Sequence, residues 1–385
     1  MRRELERIEV PGEDEAERRA WSVVSRAFSE RLPAPPPPRR RLRPALVAIA
    51  VAIVALVAVA GGLAGSRIVH SVREAVGLKT AAPALTRLPT GGRLLVTSAA
   101  GAWIVQSDGS KRLLGRYSQA AWSPHGLFVA VARGHELAAV DPHGMVRWSL
   151  ARSGVIRLPR WAPDGYRIAY LDGATLRIVA GDGTGDRSFA ADVARVAPAW
   201  RPSATHEHVL AFSTARRELE LYAVDGNEVV ARHRLPAVVL QLLWSSDGDR
   251  LVVLSAHAIA VFAHDGRPLR SIRLGRRALG AAFEPHTHRL SVILGGPRSD
   301  VLSFDLDRPG GHAREIFGGT GRFSGLAWSP DGRWMLIAWP TANQWLFVPA
   351  EDGRRIAAVS GITAQFSSGT SLALFPGLDD WCCVP

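Results

Sequence analysis

The feature that most constrains this chain is an aromatic residue followed by a turn rich in Pro, Ser and Gly, which recurs six more times along the sequence. The intervals between successive aromatic residues are 39, 39, 44, 39, 45 and 38 residues. A short apolar run follows each turn, as in Leu251–Leu254 and Trp334–Ala338. A fixed period of this length is typical of repeat architectures whose units bury their apolar faces against one another. The seven copies are AWSPHG at Trp122, RWAPDG at Trp161, AWRPSA at Trp200, LWSSDG at Trp244, AFEPHT at Phe283, AWSPDG at Trp328 and QFSSGT at Phe366.

A second repeated signal is a tight turn built on Asp and Gly. Asp-Gly supports the positive φ angles of two-residue hairpins. Each turn follows an alternating run such as TLRIVA or AIAVFA, which predicts a strand with one face buried. Each unit therefore holds four short strands, which is typical of a β-propeller blade. The turns lie at Asp108-Gly109, Asp141–Gly144, Asp182-Gly183, Asp225-Gly226, Asp265-Gly266, Asp307–Gly310 and Asp352-Gly353.

The phase of the two signals predicts how the ring closes. The first hairpin precedes the first aromatic turn, and no hairpin follows the last one. We therefore predict an all-β, seven-bladed propeller of four-stranded blades over residues 90–376, in which residues near 91–115 and near 364–375 share one blade. Such closure removes exposed strand edges. Six blades plus a stray element is the alternative, and residues 377–385 are predicted to be a tail.

A membrane span is predicted at residues 44–66. Residues 45–65 are 21 residues without a charged or polar side chain, which is enough to cross about 30 Å of hydrocarbon as a helix. Four arginines at positions 39–43 precede it, against Arg67, Arg73 and Lys79 after it. This asymmetry predicts an uncleaved signal anchor with the N-terminus in the cytoplasm and the propeller outside the cell membrane, joined by a linker at 67–89.

The cytoplasmic segment, residues 1–43, contains a predicted amphipathic helix at 13–32 and a Pro-rich basic linker at 33–43. Trp21, Val24 and Phe28 lie on one apolar stripe of that helix. A short amphipathic helix with no domain to cover it needs a partner or a lipid surface. These three residues are therefore candidate partner-binding residues, and a weakly ordered tail without function is the alternative.

The WSPDG-type turn followed by an apolar strand resembles the repeat of TolB-like propellers and, more loosely, that of WD-repeat proteins. Trp161 to Gly165 and Trp328 to Gly332 match best, whereas Phe283 and Phe366 replace the Trp. The resemblance implies a propeller that binds proteins, with no catalytic residue shared across the family. The layout of a helical stub, one span and an external domain is also similar to that of transmembrane anti-sigma regulators, although the stub lacks the His and Cys of their zinc-binding form.

No catalytic motif is recognisable in the sequence, so we expect neither an enzyme nor a cofactor. Asp164, Asp247 and Asp331 share one turn position, which indicates turn chemistry rather than catalysis. We interpret the His206/His208 and His286/His288 pairs as loop histidines in preference to metal ligands. We also interpret Trp148, Trp339 and Trp345 as core residues rather than ligand contacts. Cys382 and Cys383 are interpreted as two thiols rather than a vicinal disulfide.

The net charge of +12 is spread thinly and forms no basic stripe interleaved with aromatics, so no nucleic-acid partner is expected. The primary functional hypothesis is a membrane-anchored, non-catalytic protein-binding or scaffold propeller. The alternative is a transmembrane regulator whose stub binds a sigma factor or another cytoplasmic protein. A lactonase or glycosidase working from the central channel is a third hypothesis, since propellers host many functions.

Overall fold

The computed structural model describes residues 85, 87–202, 207–308, 313–351, 355–367 and 374–383. The predicted helix at 13–32, the Pro-rich linker at 33–43 and the span at 44–66 lie outside these residues. Of the linker predicted at 67–89, residues 85 and 87–89 are described, and Leu85 and Leu88 are buried in the core. Within the described part of the chain, no helix has the length and apolar character needed to span a membrane.

The described strands form seven four-stranded antiparallel sheets, which we number as blades 1 to 7. Blade 1 consists of β1 (Arg93–Ser98), β2 (Gly101–Val105), β3 (Lys111–Gly115) and β28 (Gly377–Cys382). Blade 2 consists of β4 (Gln119–Trp122), β5 (Val129–Arg133), β6 (Glu136–Val140) and β7 (Val146–Ala151). Blade 3 consists of β8 (Ile156–Trp161), β9 (Arg167–Asp172), β10 (Thr175–Ala180) and β11 (Arg187–Ala190). Blade 4 consists of β12 (Ala199–Trp200), β13 (Val209–Ser213), β14 (Glu218–Ala223) and β15 (Glu228–Arg234).

In blades 2 to 7 the first strand in the chain is innermost and the last is outermost, whereas in blade 1 the innermost strand is β28. Blade 5 consists of β16 (Val239–Trp244), β17 (Arg250–Ser255), β18 (Ala258–Ala263) and β19 (Pro268–Arg273). Blade 6 consists of β20 (Ala278–Phe283), β21 (Arg289–Leu294), β22 (Arg298–Asp305) and β23 (Arg314–Thr320). Blade 7 consists of β24 (Gly325–Trp328), β25 (Trp334–Trp339), β26 (Gln344–Pro349) and β27 (Ala357–Ser360). A 3₁₀ turn (Pro340–Ala342) and a one-turn helix α1 (Ile362–Gln365) complete the described elements.

The seven-bladed prediction is confirmed, and so is a closing blade shared between distant parts of the chain. Strands β4, β8, β12, β16, β20, β24 and β28 are innermost, and each contacts the next around a closed ring. Closure leaves no innermost strand as a free edge, which protects the sheet from pairing with other chains.

The predicted position of the closing strand is wrong. Phe366 follows α1 and is buried against Trp103 and Trp345, with ring centroids 5.8 and 5.2 Å apart. The closing strand is β28, within the segment predicted to be a tail, and Trp381 pairs with Leu94 as Trp122 pairs with Val129 in blade 2. Both Phe366 and Trp381 are aromatic residues near a turn, and only their contacts distinguish them.

The core lies between the blades rather than along the central axis. Seven clusters of buried apolar side chains occur in the described residues, one at each interface between adjacent blades. The second strand of a blade is covered on both faces, and β13 is buried throughout its length. The outermost strands alternate between exposed and half-buried residues, as in β7 and β19.

Where they are described, the turns between the first and second strands and between the third and fourth strands of a blade reach one face of the propeller, which we call the turn face. The Phe366 turn is not one of them, because Phe366 follows α1. Aromatic turns connect the first strand of a blade to the second, and Asp-Gly hairpins connect the third to the fourth. Because consecutive strands are antiparallel, both connections lie at the same end of every blade. The turn glycines have positive φ, for example 79° at Gly165 and 72° at Gly248. At Gly248 an added Cβ would also lie 2.0 Å from the Pro202 carbonyl oxygen, so only glycine fits there.

Candidate functional site

Trp21, Val24 and Phe28, the partner-binding residues predicted from the sequence, lie outside the described residues. The turn face carries the functional geometry that the structure does describe. Among the described residues, two blade interfaces are closed by a histidine between two carboxylates, and a third opens into an aromatic cleft.

The interface between blades 3 and 4 is closed by His208. The ring Nε2 lies 2.6 Å from Asp164 Oδ2 in blade 3, and Nδ1 lies 2.5 Å from Asp225 Oδ2 in blade 4. Arg167 reaches across from blade 3 and places its Nη2 2.5 Å from Asp225 Oδ1. The side chains of His208 and Asp164 are only 10% and 7% exposed, so the contact between them is shielded from bulk water, whereas Asp225 is 48% exposed. We call this four-residue network a clasp.

The interface between blades 5 and 6 carries a second clasp with the same geometry. His288 Nε2 lies 2.7 Å from Asp247 Oδ2, and His288 Nδ1 lies 2.6 Å from Asp307 Oδ2. Arg250 takes the place of Arg167, with its Nη2 3.1 Å from Asp307 Oδ1. The Nε2 contact and the arginine contact both cross the interface, so the clasp joins the two blades at the turn face.

The electrostatics of the second clasp favour a charged histidine. Desolvation by burial disfavours the imidazolium, but the hydrogen bonds to Asp307 and Asp247 outweigh it and raise the pKa of His288. Desolvation also opposes ionisation of Asp247, but hydrogen bonds from Ser245, from the backbone of Asp249 and from His288 lower the pKa of Asp247 to about 2. Asp307 follows the same pattern, since His288 and Arg250 overcome its desolvation and lower its pKa. An imidazole ring donates through both nitrogens only when it is protonated.

The predicted turn role of the three aspartates is confirmed, and each has a second role that the sequence did not reveal. Oδ1 of Asp164, Asp247 and Asp331 accepts a backbone N–H two residues later at 2.9, 3.0 and 3.1 Å. The Oδ2 atom of each aspartate points towards the next blade. In Asp331 this atom accepts a 2.6 Å hydrogen bond from the Thr90 hydroxyl. The repeated turn therefore also joins neighbouring blades.

Of the two histidine pairs, only His286/His288 lies wholly within the described residues, and its two members have different roles. His206 lies outside the described residues, and His286 has a backbone φ of 59° in its turn while His288 alone forms the clasp. Asp247, Asp249 and His288 place their ligand-type atoms within 4.8 Å of one another. The hydrogen bonds of the clasp account for that grouping, because both ring nitrogens already face carboxylates.

The interface between blades 2 and 3 has different residues at the clasp positions. Three residues after the inner-strand tryptophan, blade 2 has His125 where blades 3 and 5 have Asp164 and Asp247. Blade 3 has Tyr166 where blades 4 and 6 have His208 and His288. In each blade this position lies two residues before the second-strand residue that pairs with the inner-strand aromatic residue. Phe128 replaces the clasp arginine. No clasp forms between these described residues, and a cleft lies there instead.

The cleft has a volume of about 640 Å³ and is lined mainly by aromatic and very small residues. Phe128 stacks on Trp161 with ring centroids 6.5 Å apart. The half-buried indole of Trp148, which we interpreted as core, lines the cleft and donates a 2.8 Å hydrogen bond to the Gly181 carbonyl. Small residues, Ala139 and Ala180, leave the space that larger side chains would fill.

Two charged side chains lie at the cleft. Arg147 forms a 2.8 Å ion pair with Asp141 and is still 49% exposed. Asp182 is the blade 3 counterpart of Asp225 and Asp307, and its Oδ1 accepts hydrogen bonds from the backbone and hydroxyl of Thr184. These hydrogen bonds lower the pKa of Asp182, so the carboxylate is ionised at neutral pH. Volume, aromatic lining and few polar groups are the usual properties of a binding pocket.

Four apolar side chains are exposed at the turn-face end of blades 2 and 3. Leu127, Met145, Val146 and Tyr166 are 62%, 60%, 49% and 70% exposed. Val129 pairs with Val140 and Val140 with Val146, so the first three of these residues lie at the same end of blade 2. Tyr166, in the turn of blade 3, also lines the cleft. Exposed apolar side chains at one end of two neighbouring blades are typical of an interaction surface.

A separate group of charged residues lies in the central channel. A β-bulge between Leu95 and Val96 leaves Asp379 unpaired in β28, and both Asp379 and Asp380 are solvent-exposed. Arg160 of β8 interacts electrostatically with both carboxylates, although β4 lies between β28 and β8 in the ring. The interaction therefore crosses the channel. Both carboxyl groups face the channel, where the protein atoms around it still disfavour the charged form. This desolvation raises the pKa of Asp379 to about 7, against the opposing effects of Thr97 and Arg160.

The sequence did not predict the channel carboxylates because they were assigned to a tail. At the end of β28, the sulfurs of Cys382 and Cys383 are joined as a vicinal disulfide, where the sequence favoured two thiols. Trp345 is fully buried, as expected, and Trp339 is half-buried against Phe317 and Phe323.

Comparison with known proteins supports the fold. No protein-family model matches the chain, and no curated protein matches it. The β-propeller domain of Cps50 (Swd1) from Myceliophteria thermophila is 14% identical, with 64% of this chain and 86% of that one covered and a TM-score of 0.50. A chain of a mitotic checkpoint complex is 15% identical, with 71% and 96% covered and a TM-score of 0.54. Hydrazine synthase from Kuenenia stuttgartiensis is 14% identical, with 60% and 75% covered and a TM-score of 0.49. At these identities the likeness shows the propeller fold alone.

Proposed function

We propose that this protein is a membrane-anchored, non-catalytic β-propeller that binds a protein partner through the aromatic cleft between blades 2 and 3. The observation that carries this proposal is the aromatic cleft at the turn face, with exposed apolar side chains at the same end of blades 2 and 3. Interfaces place aromatic anchors in desolvated pockets and surround them with contacts that exclude water.

Two further observations support a binding role. The fold is similar to that of a chain from a mitotic checkpoint complex, which by its description is an assembly of several components. The cleft also lies where the blade interface lacks its clasp, so binding there does not require an ion-paired joint to open. Charged groups at the cleft are few, and Arg147 already has Asp141 as its partner.

The proposal is tested by photocrosslinking in intact cells. A benzophenone amino acid replaces Tyr166 in the full-length chain, and in a matched version it replaces Val238, which is 68% exposed and lies outside the cleft. We expect a discrete crosslinked adduct from position 166 and none from position 238. The purified partner should then bind the full-length protein at least tenfold more weakly after Tyr166→Ala, and within twofold after Val238→Ala.

Equal crosslinking from both positions would contradict a specific surface at the cleft. So would a partner whose affinity is unchanged by Tyr166→Ala. Tyr166→Phe serves as the conservative control, because it retains the ring and should retain most of the affinity.

Membrane anchoring through residues 44–66 is part of the proposal and rests on the uncharged 21-residue run in the sequence. A transmembrane regulator is the related alternative, in which Trp21, Val24 and Phe28 bind a cytoplasmic protein such as a sigma factor. Alanine at these three positions would then abolish a cytoplasmic association, with no effect on crosslinking at position 166.

A second candidate function, hydrolysis of a lactone or glycoside in the channel, is favoured by the two carboxylates of β28. A carboxyl group with a pKa of about 7, like that of Asp379, can act as a general acid at neutral pH. Turnover of p-nitrophenyl glycosides or of γ-lactones by the full-length protein, with loss of that turnover in Asp379→Asn, would establish this function instead of a purely binding one.

A further inference from the structure

Tyr166 separates the aromatic cleft from a second depression on blade 3. The second depression has a volume of about 400 Å³ and shares Tyr166 and Ala180 with the cleft. Arg167 and Arg187 also line it. A single bound segment can therefore contact both depressions on either side of the tyrosine ring.

The second depression is positively charged. Arg187 is exposed and has no carboxylate partner among the described residues, and its guanidinium carbon lies 5.8 Å from the centroid of the Phe189 ring. Arg167 is paired with Asp225 but retains 29% exposure of its side chain. Across both depressions the lining contains three arginines and one aspartate, Asp182. An anionic group in a partner would complement this charge.

The strand register gives the backbone offset between the cleft and Arg187 on blade 3. Ala180 borders both depressions, and Arg187 pairs with Ile178, two residues earlier on β10. Two residues of extended chain correspond to about 7 Å. Both edges of β10 are already paired, so a partner would cross the surface of the blade instead of adding to this strand. An extended segment running in the direction of β10 would reach Arg187 two or three residues beyond a side chain placed in the cleft.

We propose that the partner presents an extended segment with a large apolar or aromatic side chain followed, two or three residues away, by Asp or Glu. The apolar side chain enters the cleft between Phe128, Trp148 and Trp161, and the carboxylate pairs with Arg187. This inference rests on the proposed function and adds the chemistry of the ligand. Charge at the second depression selects the partner, while the aromatic cleft supplies most of the affinity.

The test is selection of peptides from a random twelve-residue phage library on the full-length protein in detergent. Selected peptides are then synthesised with a fluorescent label, and their affinities are measured by anisotropy at two salt concentrations. We expect enriched peptides to carry an aromatic or large aliphatic residue followed at two or three residues by Asp or Glu. Arg187→Ala should weaken these peptides about two- to fivefold, since exposed ion pairs are worth about 1 kcal/mol or less.

Arg273→Ala is the matched control, because Arg273 is also an exposed arginine on an outermost strand, in blade 5. Its substitution should change affinity by less than twofold. Peptides that lose affinity with Tyr166→Ala but lack an acidic residue and ignore Arg187→Ala would overturn this inference and leave the cleft as a binding site. Failure of any peptide to depend on Tyr166 would overturn both proposals.

Discussion

The interface between blades 3 and 4 and the interface between blades 2 and 3 use equivalent positions for opposite purposes. The first joins Asp164, His208 and Asp225 into a hydrogen-bonded network. The second has His125 and Tyr166 at the corresponding positions, and Asp182 has no histidine to meet. Both interfaces keep a buried apolar core beneath the turn face. Blade packing therefore does not depend on the clasp, and its absence leaves a surface available for binding.

The largest expected effect is the loss of both clasps. The double substitution His208→Ala and His288→Ala removes four hydrogen bonds to charged groups, each worth about 1.5–3 kcal/mol before any discount for solvent exposure. We expect the free energy of unfolding to fall by about 1–3 kcal/mol per clasp in urea titrations of the full-length protein. His125→Ala at the open interface is the control and should change it by less than about 0.5 kcal/mol. An equal loss from His125→Ala would show that the clasps have no special role.

A smaller gain is expected when the open interface is converted into a clasp. The triple substitution His125→Asp, Phe128→Arg and Tyr166→His gives blade 2 the aspartate and arginine of a clasp. It also gives blade 3 the histidine, beside Asp182. We expect a stability gain of about 1 kcal/mol, because lost aromatic contacts offset part of the new ion pairing.

The same variant should lose binding of cleft-dependent peptides by more than tenfold, measured by anisotropy. A reversed variant, Asp164→His with His208→Tyr, is the companion experiment and should weaken the interface between blades 3 and 4. Retention of full peptide affinity in the triple variant would contradict the idea that cleft and clasp exclude each other.

The second clasp should make stability depend on pH. The pKa of His288 is raised in the folded state, so its contribution is complete below its ordinary value of 6.5 and is lost as the pH rises through the raised value. The pKa values of Asp247 and Asp307 are lowered, so their contributions are present above 3.8 and are lost as the pH falls. Asp249 and Arg250 are the other charged groups near the ring.

The unfolding midpoint should therefore decrease between pH 6.5 and 9, and His288→Gln should flatten that decrease. His125→Gln is the control, since His125 belongs to no clasp. A decrease of the same size in wild type and in His288→Gln would contradict the assignment of this pH dependence to His288.

The smallest effect is expected at Tyr166. Its side chain is 70% exposed, so Tyr166→Ala removes little buried surface. We expect a change in unfolding free energy below about 0.5 kcal/mol. Thermal unfolding, measured together with binding, distinguishes the binding role of Tyr166 from the structural role of Trp161, which is buried in the core between blades 2 and 3. A large loss of stability in Tyr166→Ala would assign Tyr166 to the interface core.

Much of the fold could be predicted from the sequence, whereas the site could not. The Trp turns and Asp-Gly hairpins are local signals, so each blade was visible in its own 40 residues. Phe366 was misassigned because its local pattern matches a turn while its contacts place it beside a helix. Trp381 was missed because no apolar strand follows it in the chain; its partner, β1, lies near residue 94.

His208 and His288 show how close the sequence came to the clasps. Each of these histidines lies just before an apolar strand, and the preceding aromatic turn carries an aspartate. The sequence contains this signal, but it is recognisable only when the blades are aligned on the paired residues of their first two strands. The channel carboxylates gave no such signal, because the bulge that exposes Asp379 depends on pairing with a strand nearly 300 residues earlier.

The sequence by itself determined the number of blades, their four strands and the turns that end them, because period, alternation and turn chemistry act over a few residues. The tertiary structure decided which strand closes the ring, which turn aspartates meet a histidine and where the aromatic cleft lies. These features depend on contacts between residues of neighbouring blades that are more than 30 residues apart in the chain, and only the packing of the blades brings them together.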